Sequence, residues 1–140
     1  RAMDVFQSCG LRPLGVDIVK VEGATPVIVT PLWNLPPFQA DFGFCADVME
    51  HIPTDKVAAV LHNIACVVVR GAFFQIAMFP DELGRQVVGT PLHLTVETPE
   101  FWDHQMRAAF GRSAHLTSWV DTSYGNDYPY YMAFLTNVSP

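Results

Sequence analysis

Three ionisable side chains stand close together in an otherwise apolar part of the chain. Asp47, Glu50 and His51 fall within five residues, directly after an apolar run and directly before a predicted helix. Groups of these types can bind a divalent metal or exchange protons with a substrate. They can equally cap the local turn, with the imidazole bonded to the backbone. The spacing alone favours the structural interpretation, so no metal is predicted.

Asp17 lies near the end of the first apolar run, residues 14–19. If that run is an early strand of a parallel sheet, the carboxylate stands at the edge where it can accept both hydroxyl groups of a ribose. An acid in this position can also cap a loop. Residue type and position therefore make Asp17 a candidate for nucleotide binding without deciding between the two roles.

Two further candidates lie in predicted loops. His93 falls between two structured segments, where a lid or a substrate-binding loop would lie, although an exposed loop histidine is the commoner case. Trp33 belongs to the proline-rich segment 32–38, in which the prolines exclude both helix and strand. Its aromatic face could cover a flat ligand ring.

The elements that must position these residues alternate between strands and helices. Short β-branched runs predict buried strands, and apolar residues at helical spacing predict amphipathic helices. The predicted strands are 14–19, 27–29, 41–47, 71–79, 114–120 and 130–138, the predicted helices are 2–9, 54–68 and 98–110, and a turn is predicted at 22–26. This order predicts an α/β fold with a mostly parallel sheet, helices on both faces and a C-terminal antiparallel hairpin.

Composition limits the class of protein and its partners. The 140 residues are 50% hydrophobic and 16% charged, which predicts one folded domain over residues 1–140 and excludes a disordered chain. Eight basic against fourteen acidic side chains make nucleic acid an unfavourable partner. No apolar run reaches the roughly 18 residues of a membrane span, so no membrane partner is predicted.

Cysteine usage and motif content add two predictions. The three cysteines, Cys9, Cys45 and Cys66, form no CxxC pair and indicate free thiols, hence a reducing, cytoplasmic location. No GxGxxG, Walker A, GxSxG or HExxH motif occurs in the chain. The sequence therefore gives no support to a nicotinamide-dependent enzyme, a P-loop ATPase or an α/β-hydrolase.

Three segments of the chain resemble the class I S-adenosylmethionine-dependent methyltransferases. They are residues 15–18, residues 31–36 and residues 41–53. The last is the most specific, because an acid, two apolar residues, Glu-His and a helix start are similar to the family's signature after strand four. The resemblance implies a Rossmann-like fold, S-adenosyl-L-methionine as cofactor, and methyl transfer to a small-molecule acceptor.

The resemblance also implies roles for individual residues. The positions that match the family's cofactor-binding residues are Asp17, Ile18, Leu32, Trp33, Cys45, Ala46 and Asp47. Asp17 matches the acid that binds the ribose, Leu32 and Trp33 match the stretch that meets adenine, and residues 45–47 match the end of strand four beside the methionine part. Pro31 stands where the family often has an acid, so adenine would be held by backbone groups and apolar packing.

A methyl acceptor with a hydroxyl group would need a base, and His51 or His93 could serve. The residues Asp47, Glu50 and His51 are similar to a cluster in quinone-type O-methyltransferases, some of which hold a divalent metal there. In other members of the family the same Glu-His pair is structural. The expectation from the sequence is therefore two candidate catalytic histidines and no metal.

One departure from the family is large. The family's first strand and glycine-rich turn have no counterpart, so we expect the chain to begin inside the domain and to bind the cofactor weakly on its own. A non-catalytic, methyltransferase-like module that needs a partner chain is the alternative. A dinucleotide or nucleotide-sugar enzyme would explain Asp17 but not residues 47–53. The methyl acceptor and a homo-oligomeric state are left open.

Overall fold

The computed structural model describes residues 2–20 and 26–138. The chain divides into two compact units, residues 1–36 and 37–140, which are described separately. The predicted turn at 22–26 lies almost wholly outside the described residues, and the single domain over 1–140 stays a prediction. None of the helices within the described ranges is long and apolar enough to cross a membrane.

The first unit contains one helix and a parallel strand pair. Helix α1 is Ala2–Ser8, strand β1 is Gly15–Asp17, strand β2 is Val27–Val29, and a 3-10 turn covers Leu32–Asn34. The strands pair in parallel, with Gly15 opposite Val27 and Asp17 opposite Val29. Asp17 is thus the last residue of its strand, which ends two residues before the predicted boundary at residue 19.

The second unit contains a four-stranded sheet and three α-helices. The strands are β3 (Ala40–Ala46), β4 (Val68–Ala77), β5 (His115–Asp121) and β6 (Tyr130–Thr136), and the helices are α2 (Val57–Val67), α3 (Glu82–Val88) and α4 (Pro99–Phe110). The strand order is β3-β4-β6-β5. Strands β3 and β4 run parallel, whereas β6 is antiparallel to both β4 and β5.

The predicted α/β fold with a C-terminal hairpin is confirmed. The pairing is mixed rather than mostly parallel, because two of the four pairings between described strands are antiparallel. The cause is the position of β6, which inserts between β4 and β5. The connection from Asp121 to Tyr130 is a turn-rich loop, and a loop without a crossover helix returns the chain antiparallel.

One face of the four-stranded sheet forms the core of the second unit. The side chains on this face that are at most 1% exposed are Ala72, Phe74, Ile76, Tyr131, Ala133 and Leu135. Phe74 meets Phe110 of α4 edge to face, with ring centroids 6.0 Å apart. Helix α2 turns its predicted apolar stripe inward, since Val57, Val60 and Leu61 are buried. Burial of these side chains supplies most of the driving force for folding.

The opposite face of this sheet carries exposed aromatic side chains. Phe44 stacks on Phe73 at a centroid distance of 5.4 Å, and Phe73 is opposite Phe134 in the register. Phe44 and Phe134 are nevertheless exposed, as is Trp119 of β5. The described helices therefore cover one face of the sheet more completely than the other.

Candidate functional site

The carboxyl end of β3 leads into a tight turn that contains the three clustered ionisable residues. Asp47 adopts a left-handed backbone conformation, with a φ of 54°. Its carboxylate accepts a hydrogen bond from the side-chain amide of Gln75 on β4 at 3.3 Å. A 3-10 turn, Met49–His51, follows and contains Glu50 and His51. These two residues, without Asp47, join His93 in a group whose potential metal-ligand atoms lie within 4.8 Å of one another.

Glu50 is a buried carboxylate for which only one of the two side-chain oxygens accepts a hydrogen bond from the described residues. The residue is 1% exposed, and its Oε1 accepts a long hydrogen bond, 3.4 Å, from the Ala77 amide. Its Oε2 has no hydrogen-bond partner among the residues that the structure describes. Burial raises the pKa of Glu50 above its usual value, while backbone amides and the nearby His51 oppose that shift.

The two histidines predicted as catalytic candidates lie side by side. Their ring centroids are 5.1 Å apart in an edge-to-face arrangement. The Nδ1 of His51 is 2.9 Å from the Leu92 carbonyl oxygen, and the Nδ1 of His93 is 2.7 Å from the Phe79 carbonyl oxygen. Because a carbonyl oxygen only accepts, both Nδ1 atoms carry protons, and in the neutral rings both Nε2 atoms hold a lone pair.

Thr95 holds two segments together: the segment that contains His93 and the turn that contains His51. Its amide donates to the Glu50 carbonyl oxygen at 3.0 Å, and its hydroxyl donates to the Ile52 carbonyl oxygen at 2.7 Å. The Thr54 hydroxyl lies 2.8 Å from the Thr95 hydroxyl oxygen. Since the Thr95 proton goes to Ile52, Thr54 is the donor in this pair. Thr95 was not among the sequence candidates, because an isolated loop threonine carries no signal.

We expect Thr95→Val to lower the free energy of unfolding by about 1–3 kcal/mol, because it leaves the buried Ile52 carbonyl without a donor. Urea unfolding measures this change. Thr117→Val, at an exposed position of β5, is the matched control and should change stability by less than about 0.5 kcal/mol. Equal effects of the two variants would contradict the assigned role of Thr95.

A cleft of about 330 Å³ opens beside the histidines. It is lined by His51, Asp81, Leu83, Gly84, Val87, Val88, Leu92 and His93. Helix α3 contributes most of the apolar wall. Its seven residues were predicted as irregular, because a helix this short with a glycine inside gives little periodic signal. The volume suits a small organic molecule.

Asp81 fixes α3 beside the cleft. Its Oδ1 accepts from the Gly84 amide at 2.7 Å, which caps the helix, and its Oδ2 accepts from the Leu92 amide at 3.1 Å. These two amides, the Gly84 amide foremost, hold the pKa of Asp81 below its usual value. Sequence analysis missed Asp81, although an aspartate before Glu82 and ahead of Gly89 is a helix-capping signal.

In the first unit, the candidate cofactor residues lie at strand and turn ends. Asp17 accepts a hydrogen bond from the Val19 amide at 3.1 Å through Oδ1. Ile18 is exposed, and Trp33, in the turn that also holds Leu32, is 37% exposed. A partly exposed carboxylate at the end of a parallel strand fits the hydroxyl groups of a ribose, and an accessible indole fits a flat ring. Their roles in cofactor binding stay predictions.

In the second unit, Cys45 and Ala46 end strand β3 and lie opposite Phe74 and Gln75 of β4. Loss of hydration, reinforced by the carboxylates of Glu50 and Asp47, raises the pKa of Cys45 to about 12. The thiol therefore stays protonated at neutral pH and is a poor nucleophile. Its predicted contact with the cofactor would be one of packing.

We expect Cys45 to react with iodoacetamide at least about 100-fold more slowly than Cys9 and Cys66 near neutral pH, since the thiolate is the reactive form. Both of those cysteines are exposed. Because the pKa of Cys45 is about 12, its rate should still be rising with pH well above neutrality. Mass spectrometry of timed digests gives the three rates. Equal rates in the folded chain would contradict the shift, and unfolding in urea should abolish the difference.

Comparison with known proteins identifies the fold. No family model matches the chain, and no curated protein sequence does. A SAM-dependent methyltransferase from Archaeoglobus fulgidus superposes with a TM-score of 0.68 at 13% identity, over 96% of this chain and 80% of that chain. The chain has the Rossmann-like fold of the class I S-adenosylmethionine-dependent methyltransferases. The resemblance stated from the sequence is thereby confirmed for the fold.

Two other solved structures superpose on this chain to a similar degree. One is the 1,6-didemethyltoxoflavin-N1-methyltransferase of Burkholderia thailandensis, solved with bound 1,6-didemethyltoxoflavin and S-adenosylhomocysteine. It superposes with a TM-score of 0.67 at 16% sequence identity, over 98% of this chain and 66% of that chain. The PH0226 protein of Pyrococcus horikoshii has a TM-score of 0.69 at 13% identity, with 97% of this chain and 76% of that chain covered. Identities this low establish the fold, and activity is a separate question.

Proposed function

We propose that this protein is an S-adenosylmethionine-dependent methyltransferase acting on a hydroxyl group of a small molecule. The observation that carries the proposal is the pair of histidines with available Nε2 atoms, placed at an apolar cleft on a methyltransferase fold. An apolar cleft with a few convergent polar groups is the usual form of a small-molecule site. The free thiols fit a cytoplasmic location, which is part of the proposal.

The cofactor would supply an electrophilic methyl group when bound. In the first unit, Asp17 would accept the ribose hydroxyls, with Ile18 beside it, and Leu32 and Trp33 would contact the adenine. In the second unit, residues 45–47 would contact the methionine part. The support is the position of Asp17 at the end of β1 and of residues 45–47 at the end of β3 and just beyond it.

On the acceptor side, His51 or His93 would take the proton of the hydroxyl through Nε2. The carbonyl oxygens of Leu92 and Phe79 fix the ring tautomers, so that neither Nε2 needs to lose a proton before it can accept one. The apolar side chains of α3 that line the cleft would contact the acceptor.

Nuclear magnetic resonance tests cofactor binding even when it is weak. The ¹⁵N-labelled chain is titrated with S-adenosylmethionine, and shifts are expected at Asp17, Ile18, Leu32 and Trp33 and at residues 45–47. Asp17→Asn should weaken binding, whereas Asp41→Asn, at an exposed position early in β3, should not. Shifts confined to other residues, or none at millimolar cofactor, would contradict the proposal. Transfer of a radiolabelled methyl to a panel of phenols and hydroxy acids then identifies the acceptor.

A second candidate function is favoured by the exposed aromatic face of the sheet. Phe42, Phe44, Trp119 and Phe134 are all exposed on it. A contiguous apolar surface of this kind is typical of protein interfaces. A methyltransferase-like module that supports a partner chain would bind neither cofactor nor acceptor, so the same titration separates the two functions.

A further inference from the structure

We propose that Glu50, His51 and His93 form a binding site for a divalent transition-metal ion of the zinc type. Each residue offers one ligand atom, and these atoms lie within 4.8 Å of one another. Ligand atoms of one tetrahedral zinc ion, bonded at about 2.0–2.2 Å, lie about 3.3–3.6 Å apart. The three side chains would therefore have to bring their ligand atoms closer by about 1 Å to share an ion.

Both imidazoles are already in the form that a metal requires. Each donates its Nδ1 proton to a backbone carbonyl oxygen, His51 to Leu92 and His93 to Phe79. Metal-binding histidines in proteins characteristically make this second hydrogen bond, which orients the ring and fixes the tautomer. The lone pairs on the two Nε2 atoms are left available for an ion.

The carboxylate of Glu50 supplies the independent observation that points to a ligand. It is 1% exposed, and its Oε2 is buried without a hydrogen-bond partner among the described residues. An ionised carboxylate in such surroundings is costly unless a cation or a donor satisfies it. A divalent ion at this position would neutralise the buried charge and satisfy the free oxygen.

Two imidazoles and one carboxylate are a common donor set for zinc with one coordination position left open. The histidines line the cleft, so a small molecule in the cleft could reach that position. Asp47 does not belong to the set, which distinguishes this site from the cluster of neighbouring residues seen in the sequence. The inference does not depend on methyl transfer. An ion bound here would occupy the lone pairs that proton transfer uses, so the metal-loaded and metal-free chains would act on a hydroxyl by different routes.

Cobalt absorption tests the site without any assay of activity. The metal-free 140-residue chain is titrated with Co²⁺, and the ion is then displaced with Zn²⁺. We expect one equivalent to bind with the visible spectrum of nitrogen and oxygen ligands and no thiolate charge transfer. Glu50→Gln and His93→Ala should each weaken binding by at least about tenfold.

Two controls separate this site from other donors. His104→Ala removes an exposed histidine of α4 and should leave the affinity unchanged. The double variant His62→Ala, Cys66→Ala removes a second close donor pair, with Sγ and Nε2 3.6 Å apart, and should also have no effect. The inference is overturned if no saturable binding occurs. It is also overturned if binding survives in His93→Ala and is lost in the double variant. Urea unfolding checks that each variant is folded, and His51→Gln replaces any variant that is not.

Discussion

Replacing Phe74 by alanine is expected to lower the free energy of unfolding by about 3–5 kcal/mol, the largest effect on stability that we predict for a single substitution. Phe74 is 0% exposed and lies on the covered face of the sheet, opposite Ala133 in the register. Its ring meets Phe110 of α4. The variant loses the burial of the ring and leaves a cavity that the small neighbours Ala72 and Ala133 cannot fill.

Phe134→Ala is the matched control, because it removes the same side chain from the other face of the same sheet. Phe134 is 43% exposed, so its loss should cost about 1 kcal/mol or less. Urea unfolding monitored by circular dichroism gives both values. Similar losses for the two variants would show that the exposed aromatic face is covered in solution, and would contradict the assignment of the core to the side facing α4.

The elements with a regular spacing of apolar residues could be predicted, because that spacing reflects which side chains are buried. The spacing of Val57, Val60 and Leu61 predicted the buried stripe of α2, and all three are buried. Helix α3 could not be found this way, since its exposed apolar residues line a cleft instead of the core. The boundary between α2 and β4 also differs from the prediction, because the β-branched run at residues 67–69 carries the chain from helix to strand without a loop.

The candidate site shows the limit of reasoning from spacing along a sequence. His51 and His93 were each predicted as catalytic candidates, but their contact depends on hydrogen bonds that Thr95 and the Glu50 carbonyl oxygen make across the fold. Asp47, Glu50 and His51 were predicted as one cluster. Glu50 and His51 join His93 in a group of potential ligand atoms to which Asp47 does not belong. Asp47 has a left-handed backbone, a conformation that no signal in the residue types announces.

Replacing His93 by alanine is expected to lower the turnover number for methyl transfer by about 100- to 10,000-fold, the range for loss of a general base. In the metal-free protein, the variant loses an Nε2 that can accept the hydroxyl proton. In the metal-loaded protein, it loses a ligand of the ion. The loss is therefore expected in both states, and a chelator distinguishes them, because it lowers the activity of the wild-type enzyme only if the ion takes part.

The catalytic assignment requires that cofactor binding survive the substitution. The cofactor-induced shifts at Asp17 and Trp33 should be the same in His93→Ala and in the wild-type chain, while the turnover number falls. His51→Ala should have an effect of similar size, and the double variant should lose much less than the product of the two single losses, because the rings act at one place, 5.1 Å apart. His104→Ala, on the exposed side of α4, should retain full turnover. Unchanged turnover in both His51→Ala and His93→Ala would remove the histidine pair from the mechanism and leave the cleft with a binding role alone.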